Sequence, residues 1–148
     1  MAARILFFES DPGFAADVRS RLESRGATVD VVSDGNDGLN RAVADRPDLI
    51  LLTIELPQMN GFLVCKRLKK NAETATIPVV ILSSEATEEI FQQHRKLRTR
   101  AEDYVRKPIA PGELVERIGG LVSLAEPSAE ALDLSEVEIA LEDVEEVV

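Results

Sequence analysis

The tightest constraint in the sequence lies at residues 49–52, four consecutive apolar residues that end at a single hydroxyl, Thr53, and then turn on Pro57, Asn60 and Gly61. The run is too short for a helix with a polar face and too uniformly apolar for a half-exposed strand. It predicts a strand buried on both sides, as in parallel sheets. In open parallel sheets, ligands and reactive groups gather just past the carboxyl ends of the strands. Thr53 is therefore the residue aimed at any site.

RILFF at 4–8 and PVVILS at 78–83 carry the same signal, and TVDVV at 28–32 and DYVR at 103–106 read as two further short strands. Between them, apolar residues recur at helical spacing. Asp11-Pro12 opens the first helix, with Asp11 placed to cap and Pro12 suited to the first helical position; Phe14, Ala15, Val18 and Leu22 follow, and Gly26 ends it. Asp34-Gly35 leads into a helix through Leu39, Ala42 and Val43. The stretch 61–71 is amphipathic, with Phe62, Val64, Cys65 and Leu68 inward and Lys66, Arg67, Lys69 and Lys70 outward. The stretch 87–100 is helical with few apolar anchors (Ile90, Phe91, Leu97) and a basic cluster at Arg95, Lys96, Arg98 and Arg100. Leu114, Val115, Ile118, Leu121 and Val122 line a last helix.

Five strands alternating with five helices predict an α/β doubly wound parallel sheet, with flavodoxin-like strand order 2-1-3-4-5. That order brings Glu9, Ser10, Asp11, Thr53, Ser83 and Lys107 to one sheet edge as one pocket. A chain of 148 residues suffices for one such core without disulfides, and the lone Cys65 reads as a small core residue. The apolar start meets Glu9 too early for a signal peptide or a membrane span, so a cytoplasmic protein with no membrane partner is expected.

The net charge of −10 argues against a nucleic-acid partner, but it is unevenly spread. Beyond Ala125 there are nine acids and no Lys or Arg, which leaves 18 acids against 17 bases in the rest. The asymmetry separates a globular domain, residues 1–124, from an acidic C-terminal tail, 125–148. Leu134, Val137, Leu141, Val144 and Val148 give the tail a short heptad seam. Repelling acids favour disorder in the free tail, with helix forming on a partner or on the basic fourth helix of the same or another copy.

The segments ILFFESDP, PDLILLTIELPQMNGF, IPVVILSSEA and DYVRKP together resemble the receiver domain of bacterial two-component response regulators, over essentially residues 3–122. The stretch 91–122 is similar to the pseudo-receiver of the motility regulator FrzS and its relatives. The resemblance implies phosphotransfer chemistry that needs a nucleophilic aspartate, acids that hold Mg²⁺, a hydroxyl and a lysine. Here these positions are Thr53, Glu9 with Ser10, Ser83 and Lys107, and Tyr104 matches an aromatic switch position. A threonine hydroxyl cannot form the acyl phosphate.

The expectation is a degenerate receiver with no catalytic residue or enzymatic activity, no metal site and weak or absent Mg²⁺ binding. It would act by contact with signalling or motility proteins, with Arg95, Lys96, Arg98 and Arg100 as candidate interface; the alternatives are a phosphorelay receiver with Glu55 or Asp11 as an unorthodox acceptor, and a sensor that binds a small anion at Lys107. Self-association through the fourth helix or tail is a further expectation. Lys107 is expected to pair with Glu9 or Asp11, and Thr53 to bond Ser83 or backbone. Glu55 is expected in solvated loop, His94 at a surface or interface, and Tyr104 as a static strand aromatic.

Overall fold

The computed structural model describes residues 2–125. Its elements run β1 (Arg4–Phe8), α1 (Pro12–Ser24), β2 (Thr28–Val32), α2 (Gly35–Asp45), β3 (Leu49–Thr53), α3 (Gly61–Lys70), β4 (Val79–Ser83), α4 (Glu88–Arg95), β5 (Asp103–Arg106) and α5 (Pro111–Ile118). The strands form one parallel sheet in the order β2-β1-β3-β4-β5. This is the flavodoxin-like arrangement expected from the alternation of strand and helix.

β3 and β4 are buried at every position. Because successive strand residues face opposite sides, Leu49 and Leu51 pack with Phe7, Val18, Leu22, Leu114 and Ile118 against α1 and α5. Ile50 and Leu52 join Phe8, Val64, Leu68, Ile81 and Phe91 on the other face, under α2, α3 and α4. Asp11 caps α1 by accepting from the amides of Gly13 and Phe14, with Pro12 in the first turn. Cys65 is buried in the second core; its thiol donates to the Thr99 carbonyl, and burial pushes its pKa up to about 11.

The sequence pattern missed three features of α3, α4 and α5. Lys69 is drawn inward: its ammonium bonds the carbonyls of Ala75 and Ile77 and both oxygens of Glu102, which also accepts from Val79 N–H. α4 stops at Arg95 rather than reaching 100. The chain beyond it must return Ala101, 6% exposed, and the Thr99 carbonyl to the core before β5 begins. The last helix also ends at Ile118, and Leu121 is exposed.

Past α5, Ala125 N–H donates to the Arg25 carbonyl and Arg25 Nε to the Ala125 carbonyl, tying this end to α1. The acidic segment with its Leu134 to Val148 seam lies outside the described residues. Among the described residues no helix is long and apolar enough to cross a membrane.

Candidate functional site

β1, β3 and β5 deliver Glu9, Thr53 and Lys107 to the same sheet edge. Glu9 follows β1 directly, and its carboxylate is buried yet surrounded by donors. Oε2 accepts from the amides of Ser10 and Asp11 at 3.0 and 3.2 Å. Oε1 accepts from Thr53 Oγ1 at 2.9 Å and from Lys107 Nζ at 2.5 Å. Four donors fill the acceptor capacity of one carboxylate. Lys107 also lies over the Phe14 ring, 4.7 Å from its centroid, so its charge meets an anion on one side and a π-face on the other.

Thr53 is 1% exposed, and its hydroxyl goes to Glu9, not to Ser83 or backbone. Of the two partners expected for Lys107, Glu9 is the one it meets; Asp11 is held as the α1 cap. Ser10 and Asp11 enter the cluster through their backbone amides, while their side chains are exposed.

Glu55 corrects the expectation of a solvated loop glutamate. The chain leaves β3 through a tight turn in which Leu56 N–H donates to the Ile54 carbonyl, and this turn directs Glu55 toward the end of β4. Its Oε2 accepts from Ser83 Oγ at 2.5 Å; Oε1 accepts from Ser84 N–H at 2.9 Å and Ser84 Oγ at 3.1 Å. Partial burial raises the Glu55 pKa, but the bonds from Ser83 and Ser84 outweigh it and hold the carboxyl below its usual value. Gly61 makes the turn possible, because a Cβ there would lie 2.5 Å from the Thr53 carbonyl oxygen and 2.7 Å from Ile54 Cα.

His94 is the second correction. It is buried rather than at a surface, with its ring 4.9 Å from that of Phe62 and Nδ1 2.5 Å from the Tyr104 hydroxyl. The same hydroxyl accepts from Ala101 N–H at 3.0 Å. With the ring neutral and its proton on Nε2, the phenol O–H donates to Nδ1; with the proton on Nδ1, the direction reverses. Burial lowers the His94 pKa and raises that of Tyr104, in keeping with this pairing. Tyr104 itself is 4% exposed, with the Arg95 guanidinium 4.8 Å over its ring. Sequence reasoning saw one histidine among basic residues; only the return of β5 under α4 gives it a partner.

Arg95, Lys96, Arg98 and Arg100 are exposed, but only Arg95 belongs to α4. Arg95 leans on Glu88 at 3.4 Å and Arg100 on the Leu97 carbonyl at 3.2 Å. An open groove of about 400 Å³ runs between α4, β5 and α5, lined by Arg95, Tyr104, Arg106, Ile109 and Arg117 with Glu88 and Glu113. A larger one of about 810 Å³ lies between the β3–α3 loop and the start of α4, lined by Leu56, Pro57, Met59, Phe62, Ala86 and Ile90 together with Glu55 and Glu85.

A family model described as the response regulator receiver domain matches residues 5–119. The DNA-binding dual master transcriptional regulator RpaA of Synechocystis is 35% identical over 134 residues, covering 90% of this chain and 55% of its own length. The DNA-binding response regulator MtrA of Mycolicibacterium smegmatis is 35% identical over 140 residues, covering 94% of this chain and 59% of its own. The chain thus spans a little over half the length of these curated relatives. Among solved structures, the signal receiver domain of a histidine kinase from Syntrophus aciditrophicus aligns with a TM-score of 0.73 at 28% identity, covering 82% of this chain and 91% of its own. The chemotaxis response regulator CheY4 of Vibrio cholerae, at 23% identity and a TM-score of 0.75 over 82% of this chain and 100% of its own, shares the fold. Since the family match takes in all five strands, in the order such a sheet requires, the chain belongs to the response regulator receiver domain family.

Proposed function

We propose that this receiver does not take a phosphoryl group and works as a protein-interaction module in two-component or motility signalling. The observation that carries the reading is Thr53: at the end of β3, where phosphotransfer needs a carboxylate nucleophile, a hydroxyl is already donated to Glu9. No histidine stands beside it to act as base, since His94 is engaged with Tyr104.

The donor set also fits Mg²⁺ poorly. The ion prefers octahedral oxygen ligation, yet the Glu9 carboxylate is shared among four donors, Lys107 among them. Asp11 caps α1, and Thr53 brings no charge. The other carboxylates near the pocket are committed likewise. Asp11 and Glu55 both accept hydrogen bonds that a nucleophile would have to give up, which disfavours a phosphorelay through an unorthodox acceptor. Lys107, paired with Glu9, is poorly placed to sense a small anion.

Partner contact is assigned to the exposed Arg95, Lys96, Arg98 and Arg100 beside the α4–β5–α5 groove, a surface whose charge suits an acidic partner. The motility assignment rests on the resemblance of residues 91–122 to FrzS-type pseudo-receivers. DNA binding, stated in the names of the relatives above, belongs to proteins of which this chain spans little more than half.

The test is mass spectrometry after incubation with acetyl phosphate and Mg²⁺, beside an ordinary receiver. The control is expected to gain a phosphoryl group and this chain none. A labelled residue here overturns the proposal and names the acceptor.

A further inference from the structure

Ser83 closes β4 and is fully buried, and all of its hydroxyl's hydrogen-bonding capacity is used. Its oxygen accepts from the amides of Glu85 and Ala86 at 3.2 and 2.8 Å, and its hydrogen goes to Glu55. Ser84 adds an amide and a hydroxyl on the same carboxylate. Three donors therefore converge from the β4–α4 turn on one anion, and that anion is supplied from the loop after β3. Thr87 follows at once and caps α4 by accepting from Ile90 N–H. The charge of Glu55 is thus linked through Ser83 to the amides that shape the start of α4, and to Ala86 and Ile90 in the wall of the larger groove.

We propose that Glu55 is a built-in anion that fills an oxyanion corner formed by Ser83 and Ser84, and so fixes the β4–α4 turn without any covalent modification. The inference rests on the reading of the chain as a receiver that takes no phosphoryl group. It gives that reading a physical basis: the corner where an external anion would bind is already satisfied by the chain. Hydrogen bonds to an ionised acceptor are the strong ones. Removing the carboxylate leaves the buried Ser83 donor and the Ser84 amide without their acceptor, and the turn loses the contacts that hold it.

Glu55→Ala and the near-isosteric Glu55→Gln are compared with the unmodified chain by amide hydrogen exchange, with and without inorganic phosphate as the probe anion. In Glu55→Ala, exchange at Ser84, Glu85 and Ala86 should rise about tenfold or more, the equivalent of one lost hydrogen bond to a charged group. Amides of β1 and β3 should keep their protection. Glu55→Gln should shift the same three amides in the same direction, which guards against a mere cavity effect. Millimolar phosphate should restore protection in Glu55→Ala and leave the unmodified chain unchanged. Unaltered exchange in both variants overturns the role of Glu55 in holding the turn. A rise that phosphate does not reverse overturns the assignment of the corner as an oxyanion site. Inorganic phosphate transfers no phosphoryl group, so these outcomes are independent of labelling by acetyl phosphate, which tests the functional reading alone.

Discussion

Thr53 Oγ1 sits 2.9 Å from Glu9 Oε1 and donates to it, joining the ends of β3 and β1 where Phe8 and Leu52 are the last registered pair. With Lys107 on the same oxygen, the bond makes the sheet edge a closed structural network of one anion, one cation and one hydroxyl.

Replacing Thr53 by Val keeps the shape and deletes the bond, so stability should fall by about 1–2 kcal/mol in urea denaturation. Thr53→Asp sets a second carboxylate against Glu9, and like charges at that distance repel. It should lose more than the Val variant at neutral pH and still gain no phosphoryl group from acetyl phosphate, because the neighbouring Glu9 carboxylate stays occupied by Lys107 and the amides of Ser10 and Asp11. Phosphorylation of Thr53→Asp would show that one residue alone separates this chain from a working receiver.

Lys107→Met leaves Glu9 with its backbone and Thr53 donors but no cation. Breaking one side of a buried pair costs about 3 kcal/mol. In a double-mutant cycle with Glu9→Gln the two losses should be clearly less than additive, since both remove the same contact. Additive losses would mean the pair contributes nothing as a pair.

His94 makes stability depend on pH. Its folded pKa is lowered from the ordinary 6.5 by burial, so the contribution is complete above that value and is lost as pH falls through the lower folded value. Melting temperature should therefore drop between pH 7 and pH 5 in the unmodified chain and drop less in His94→Gln. Glu55, also lowered, adds a second loss only below its own ordinary 4.5. Equal slopes in the two proteins between pH 7 and pH 5 would exclude His94 as the source.

Gly61→Ala should be among the costliest small changes in the chain. Its methyl would meet backbone, the Thr53 carbonyl and Ile54 Cα, which cannot swing aside as a side chain can. A loss of about 2–3 kcal/mol is expected on denaturation, in the range of forced overpacking.

Charge reversal at Lys96 and Arg98, both exposed, should leave stability within about 0.5 kcal/mol. It should weaken partner capture in a pull-down with the unmodified chain as bait control. Undiminished capture would move the interface to another face.

The sequence by itself determined the strands, their order and the edge at which Glu9, Thr53, Ser83 and Lys107 meet. The apolar runs that became β1, β3 and β4 fit strands buried on both faces, and parallel topology then aligns their carboxyl ends. The cap at Asp11 was equally local, a side chain reaching amides two and three residues on. Tertiary structure alone decided what each polar group would touch. Glu55 looks like loop until β4 sets Ser83 and Ser84 beside it; His94 looks like surface until β5 returns Tyr104 beneath α4; Lys69 looks solvated until Glu102 closes over it. Those partners lie 28, 10 and 33 residues away along the chain. Hydrophobic periodicity reports which face of an element is buried, whereas a hydrogen bond between elements exists only once packing has brought donor and acceptor within about 3 Å.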